Sequence, residues 1–308
     1  MATDGIHTID TGFVRPGFDA AYLVVTGGRG AFIDCGTHHS VPRMLAALGN
    51  AGLAPADVDW LILTHVHLDH AGGAGELIAH LPNAKLVVHP RGARHMIDPA
   101  ALWAGASAVY GEAVMERDYG RLRPVPAERV VAAADGHVVD LAGRALHCLD
   151  TPGHARHHIA IHDPHAGVCF TGDVFGLSYR EFDTANGAFI LPTTSPVQFD
   201  PEALHASIRR LVALHPQAMY PTHYGRIANV AKLADDLHAQ IDAMVAIAHA
   251  MHDRSDRHAA LVQALAGLYA DRAQAHGWTR GRAALVSLLA TDIELNAQGL
   301  EVWLDQHA

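Results

Sequence analysis

Three cysteines in a chain of 308 residues are too few, and odd in number, to build a disulfide framework. Cys35, Cys148 and Cys169 each sit in or beside a short apolar run and read as reduced core residues. No apolar stretch is long enough to span a bilayer, and the opening residues lack the basic segment followed by an apolar run that marks a secretion signal. No membrane association is expected, and a cytoplasmic setting is. Positive charge is scarce as well: 22 Lys and Arg face 32 Asp and Glu, a formal charge of −10 without a basic stripe, which argues against a nucleic-acid partner. A G-x-S-x-G segment is missing, and Gly27-Gly28-Arg29-Gly30 lies inside a hairpin pattern instead of between strand and helix. Serine hydrolysis and dinucleotide binding therefore lack a signal.

What the chain has in quantity is apolar residues and histidine. Half of the residues are hydrophobic, enough for a sizeable core in one large domain or a domain with an appendage. Tyr22–Val25 and Ala31–Ile33 flank the glycine turn as a hairpin. Val41, Met44, Leu45 and Leu48 recur at helical spacing. Trp60–Leu63 and Leu86–Val88 read as buried strands, as do Ala145–Leu149, Ile159–Ile161, Val168–Phe170 and Met219–Tyr220. Residues 91–127, with Trp103 and Tyr110, lack a clean period and are expected, with the loop of residues 175–189, to wall a pocket. Leu204, Ile208 and Leu211 mark another helix. Beyond about residue 228 the alternation stops, and Val230–Ala248, Leu261–Leu268 and Leu285–Leu289 read as three helices. The expected division is 1–228 as a catalytic domain and 229–308 as a helical extension, packed on the core or forming a homodimer contact.

The 25 histidines need sorting, because an isolated His after a strand is more often a cap or a surface residue than a ligand. One cluster stands apart. His65-Val66-His67-Leu68-Asp69-His70 follows a buried strand and gathers three imidazoles and a carboxylate, good donors for zinc and other divalent first-row metals. Three further segments, Pro152-Gly153-His154, Thr171-Gly172-Asp173 and Pro221-Thr222-His223, each place one ligand-type residue just after a predicted strand.

These motifs, in this order, resemble the signature of the metallo-β-lactamase superfamily. The resemblance runs from the first hairpin to about residue 228. It implies an α/β fold, the four-layer αββα sandwich with loops at one edge forming the site, here followed by the C-terminal helical extension. It implies two divalent metal ions: His65, His67 and His154 at one, Asp69, His70 and His223 at the other, and Asp173 bridging them with a water or hydroxide as nucleophile. Zinc is expected first, with iron or manganese as alternatives. Asp69 and Asp173 are the catalytic carboxylates in this reading, Asp69 as a proton relay. Asp34 resembles a family aspartate that braces the ligand loop, with an ordinary turn cap as the alternative, and His157 and His158 are candidates for supporting partners, with strand-end packing as the alternative. Tyr179 and Tyr224 are candidates for contact with substrate, Tyr179 against packing as the alternative.

Antibiotic-hydrolysing relatives that use a Cys at the second ion differ at His70 and Asp173, and flavodiiron relatives carry Glu at the position of His67. What remains is the glyoxalase II-like and lactonase-like group of hydrolases, with the stretch after Asp173 closer to the quinolone-signal thioesterase than to glyoxalase II. The expected activity is hydrolysis of an ester, thioester or lactone in a small, anionic or acylated substrate. A mononuclear iron oxygenase acting on a persulfide, and a metal-bound regulatory protein with little turnover, stay open as alternatives.

Overall fold

A computed structural model describes residues 3–194 and 197–307, apart from the side chains of Thr3, Val109 and Tyr110. The pocket role expected of Tyr110 therefore lies outside the described residues. The chain partitions into two contact units, residues 1–150, 157–172 and 222–225 in one and residues 151–156, 173–221 and 226–308 in the other.

The first unit is built on two sheets. Six strands, β1 (Ile6–Asp10), β2 (Ala20–Thr26), β3 (Arg29–Ile33), β4 (Val58–Ile62), β5 (Lys85–Val88) and β6 (Val130–Ala132), lie side by side in sequence order. β1 to β3 are antiparallel. β3 to β6 are parallel, so each needs a crossover. Gly27 and Gly28, at φ 55° and 74°, make the two-residue turn that pairs Thr26 with Arg29. Helix α1 (Val41–Asn50) carries the first crossover with Pro42 in its first turn, and it buries Val41, Met44 and Leu48. The short α2 (Leu68–Ala71) and α3 (Ala74–His80) make the second, and α4 (Pro90–Ile97), α5 (Ala100–Tyr110) and α6 (Glu112–Val114) lie in the third.

One continuous core joins Leu23, Phe32, Leu61, Leu86 and Val88 of the sheet, with Leu63 just after β4, to Met44 and Leu48 of α1 and Leu77 and Ile78 of α3. Each large aliphatic side chain buried in this way contributes roughly 1.5–3 kcal/mol. The parallel strands end at one edge of the sheet, and the chain leaves β4 there into the His65–His70 segment.

The second sheet of this unit runs antiparallel in the order β10 (Val168–Gly172), β9 (Ile159–Asp163), β8 (Arg144–Asp150), β7 (Val138–Leu141). Arg144 and Asp163, buried on β8 and β9, form an ion pair whose guanidinium also donates to the Asp4 carbonyl. The mixed α/β fold with two sheets is the one expected from the sequence.

In the second unit α7 (Pro201–Val212) is capped by Asp200, whose carboxylate accepts from the Ala203 N–H. β11 (Ala218–Pro221) follows, then α8 (Val230–Met251), α9 (Arg257–Ala275), α10 (Arg282–Leu288) and α11 (Ala290–His307). Among the described residues the tail thus holds four helices where the periodicity predicts three, because α11 (Ala290–His307) lies beyond the last apolar cluster, Leu285–Leu289. These helices fall into one contact unit with residues 151–156 and 173–221, so the stretch 229–308 does not stand by itself. None of the described helices is long and apolar enough to cross a membrane.

Candidate metal centre

Asp34 follows β3 in the left-handed region, at φ 56°. Its Oδ1 accepts the Thr64 N–H at 2.8 Å, and its Oδ2 accepts the Thr64 and Thr222 hydroxyls at 2.8 and 3.1 Å. The same Oδ2 lies 3.2 Å from His70 Nδ1. One buried carboxylate thus ties the end of β4 to the segment that carries His223 and contacts His70.

His70 and His223 each have one ring nitrogen engaged by a protein oxygen. His70 Nδ1 faces Asp34, and His223 Nδ1 lies 2.9 Å from the Phe18 carbonyl. A ring that donates from Nδ1 keeps the Nε2 lone pair for a metal. Both Nε2 atoms point to Asp69, whose Oδ2 is 3.6 Å from His70 and 3.5 Å from His223. The ligand-type atoms of Asp69, His70 and His223 all lie within 4.8 Å of one another.

His65, fully buried, sets its Nδ1 3.1 Å from the Thr64 hydroxyl and its Nε2 2.8 Å from His67 Nδ1. Two ring lone pairs cannot face each other at that distance without a proton or a cation to accept them. Borderline imidazole and hard carboxylate donors, mostly withdrawn from water, fit a divalent first-row ion. In the second unit, His154 Nε2 lies 3.4 Å from Asp173 Oδ2, while His154 Nδ1 lies 3.4 Å from the Thr193 carbonyl. Chain continuity explains both positions, since His154 follows β8 and Asp173 follows β10 directly.

The supporting residues are sorted by the geometry. His158 is buried, with its ring 5.0 Å from that of His65 and 30° from parallel, and the His157 ring stands 5.6 Å from His67, edge to face. Gly172, at φ 49°, allows this packing: a Cβ there would meet His158 Nε2 at 2.5 Å. Tyr179 is buried in the second unit, and its hydroxyl donates to Asp292 Oδ1 at 3.0 Å. Tyr224 is partly buried immediately after His223.

Sequence reasoning missed Asp19. It is buried at the head of β2, with Oδ2 accepting the Thr11 hydroxyl at 2.7 Å and Oδ1 without a hydrogen-bond partner among the described residues. Burial pushes its carboxyl up to about 7, against the pull of His223 and His70. The available signal was an acidic residue placed directly before the apolar run Ala20–Val25. Phe18, one residue earlier, sets its ring edge-on to His223 at 5.3 Å and beside Phe13 at 5.9 Å. Phe13 in turn lines an open cleft of about 620 Å³ with Thr37, His39, Arg43, Arg117 and Asp118. Arg117 and Asp118 come from the aperiodic segment expected to wall a pocket. Trp103 does not line this cleft.

The family model of the metallo-beta-lactamase superfamily matches residues 14–223, a span that includes all seven motif residues. The chain belongs to the metallo-beta-lactamase superfamily. Among superfamily relatives it is 28% identical over 234 residues to the metallo-beta-lactamase fold-containing protein ST1585 of Sulfurisphaera tokodaii, covering 74% of this chain and 81% of the relative. The crystal structure of ST1585 superposes with a TM-score of 0.67 at 23% identity, covering 97% of this chain and 99% of that one, which establishes the shared fold. A hydroxyacylglutathione hydrolase of Aeromonas hydrophila is 28% identical over 199 residues, 64% of this chain and 58% of the hydrolase. The acyl-coenzyme A thioesterase MBLAC2 of Bos taurus is 29% identical over 185 residues, 56% of this chain and 63% of the thioesterase. The chain thus spans about three fifths of the length of these two hydrolases.

Proposed function

We propose that this superfamily member is a dinuclear metal-dependent hydrolase of thioesters or related acyl esters. The carrying observation is the way the imidazoles are set: His70 and His223 each turn Nδ1 to a protein oxygen and Nε2 to Asp69, and His154 turns Nδ1 to the Thr193 carbonyl and Nε2 to Asp173. All three rings are buried, and a buried imidazole with Nδ1 on a protein oxygen and Nε2 beside a carboxylate has the setting of a metal ligand. In this reading His65, His67 and His154 hold one ion, Asp69, His70 and His223 the other, and Asp173 serves both. Two divalent ions would supply a water of pKa near ~7 as nucleophile and a positive charge for the carbonyl oxygen.

The remaining tasks belong to the chain. Asp34 and the Phe18 carbonyl hold the rings so that little reorganisation accompanies the reaction. Asp69 keeps 24% of its side chain exposed, in contrast to the buried His70, which supports the reading that it passes a proton to a departing thiolate or alkoxide. Arg43 and Arg117, exposed in the cleft beside Phe13, suit an anionic substrate end, with Asp118 pairing to Arg117 until such a group arrives. The thioester preference is supported by the named activities of the two hydrolase relatives.

Metal content of the purified protein, with turnover of acyl thioesters, esters and lactones before and after chelation, tests the reading. About two ions per chain and chelator-sensitive thioester cleavage are expected. One iron per chain with oxygen uptake and no hydrolysis would overturn it, as would full activity in the metal-stripped protein.

A further inference from the structure

Helix α11 reaches the candidate centre through a loop. Asn296, buried on α11, accepts the Thr194 N–H at its Oδ1, 2.7 Å away, and donates from Nδ2 to the Pro192 carbonyl at 3.2 Å. The residue held between these two contacts is Thr193, whose carbonyl lies 3.4 Å from His154 Nδ1. A second donation from Asn296 Nδ2, to the Tyr269 hydroxyl at 2.8 Å, fixes the amide itself to α9. The Thr194 hydroxyl donates to the Leu295 carbonyl at 3.3 Å, so the strap is fastened to α11 by side chain and backbone together. Gln240 of α8 donates to the Ile190 carbonyl at 3.0 Å and holds the same segment two residues before Pro192.

We infer that Asn296 is a positioning residue for His154: by clamping Pro192 and Thr194 it fixes the Thr193 carbonyl, which keeps the His154 proton on Nδ1 and leaves Nε2 for the metal. This rests on the reading of His154 as a ligand and deepens it, assigning the C-terminal helices a role in the site. A carbonyl on a loose strap would leave the ring free to rotate or to carry its proton on the other nitrogen, and the affinity of one ion would suffer. Asn suits the task because one amide both accepts and donates, matching a backbone N–H and a carbonyl two residues apart.

The test is zinc titration of stripped full-length protein against a competing chelator, for wild type, Asn296→Ala, His154→Ala and Leu265→Ala, the last a buried α9 side chain serving as a control for general destabilisation. Asn296→Ala is expected to weaken one of the two ions by about 10- to 100-fold, to spare the other, and to lower kcat/KM in a way that added zinc restores. Leu265→Ala is expected to lower Tm and leave both affinities in place. Equal weakening of both ions by Asn296→Ala, or unchanged affinities, would overturn the inference while His154→Ala still loses an ion. If His154→Ala keeps both ions, the ligand reading itself fails. Nitrogen-15 spectra of the histidines in wild-type zinc-loaded protein give an arm that needs no variant: His154 protonated at Nδ1 is expected, and protonation at Nε2 would overturn the clamp.

Discussion

Asp34 serves the Thr64 amide, two hydroxyls and an imidazole with two oxygens, and it does so in a backbone conformation that a non-glycine residue enters at a cost. Replacing it by Asn keeps the shape but puts an NH2 where one of two acceptors is needed. Asp34→Asn is therefore expected to weaken the ion at His70 by about 10- to 100-fold, read by chelator competition; unchanged affinity would remove Asp34 from the metal argument. The seven motif residues were legible because chemistry demands particular side chains at the ends of particular strands. The Phe18 and Thr193 carbonyls were not, because every residue carries a carbonyl and only the folded backbone aims it. Asp19 falls between: its type was visible, but its burial beside His223 depends on the Thr11–Phe18 loop folding back.

Among the elements, the β8–β9 pair depends on a buried charge. With Arg144 and Asp163 both withdrawn from water, Asp163→Ala would leave a guanidinium buried without its partner, and a loss of about 3–5 kcal/mol is expected in urea unfolding. A loss under ~1 kcal/mol would mean that the pair behaves as a surface one. In the tail, His258 of α9 lies 2.8 Å from Glu301 and 3.1 Å from Glu294, both on α11, and these carboxylates raise its pKa, Glu301 foremost, against the opposing effect of burial. Arg257 beside it pairs with Glu301 and Asp305.

A pKa raised on folding means that the protonated ring stabilises the fold. The contribution is fully present below the unfolded value of about 6.5 and is lost as pH rises through the higher folded value. Thermal melts should show wild type ahead of His258→Gln at acid pH, the gap closing toward alkaline pH; a gap independent of pH would refute a stabilising charge on His258 between Glu301 and Glu294. The buried strands of both sheets were readable from their apolar runs. β1, β6 and β7 were not: Ile6–Asp10 alternates with polar residues, and the other two have only three and four residues with partly exposed side chains, too little pattern to separate from loop.

For the molecule as a whole, the three thiols lie in the interior, and burial pushes Cys148 and Cys169 up to about 12 and raises Cys35 as well. Thiolate is the reactive form, so a disulfide-exchange reagent at neutral pH should label none of them in the native protein and all of them in denaturant. Rapid labelling without denaturant would show that the core opens.

The discontinuous second unit bears on how the gene can be altered. Its chain is contributed in three pieces, residues 151–156, 173–221 and 226–308. Recombination that grafts a different tail at residue 229 would separate α8 from α7 and Asn296 from the strap it holds. Lineages that keep the seven motif residues are therefore expected to inherit the last four helices with them, as a single heritable block and not as an interchangeable cassette.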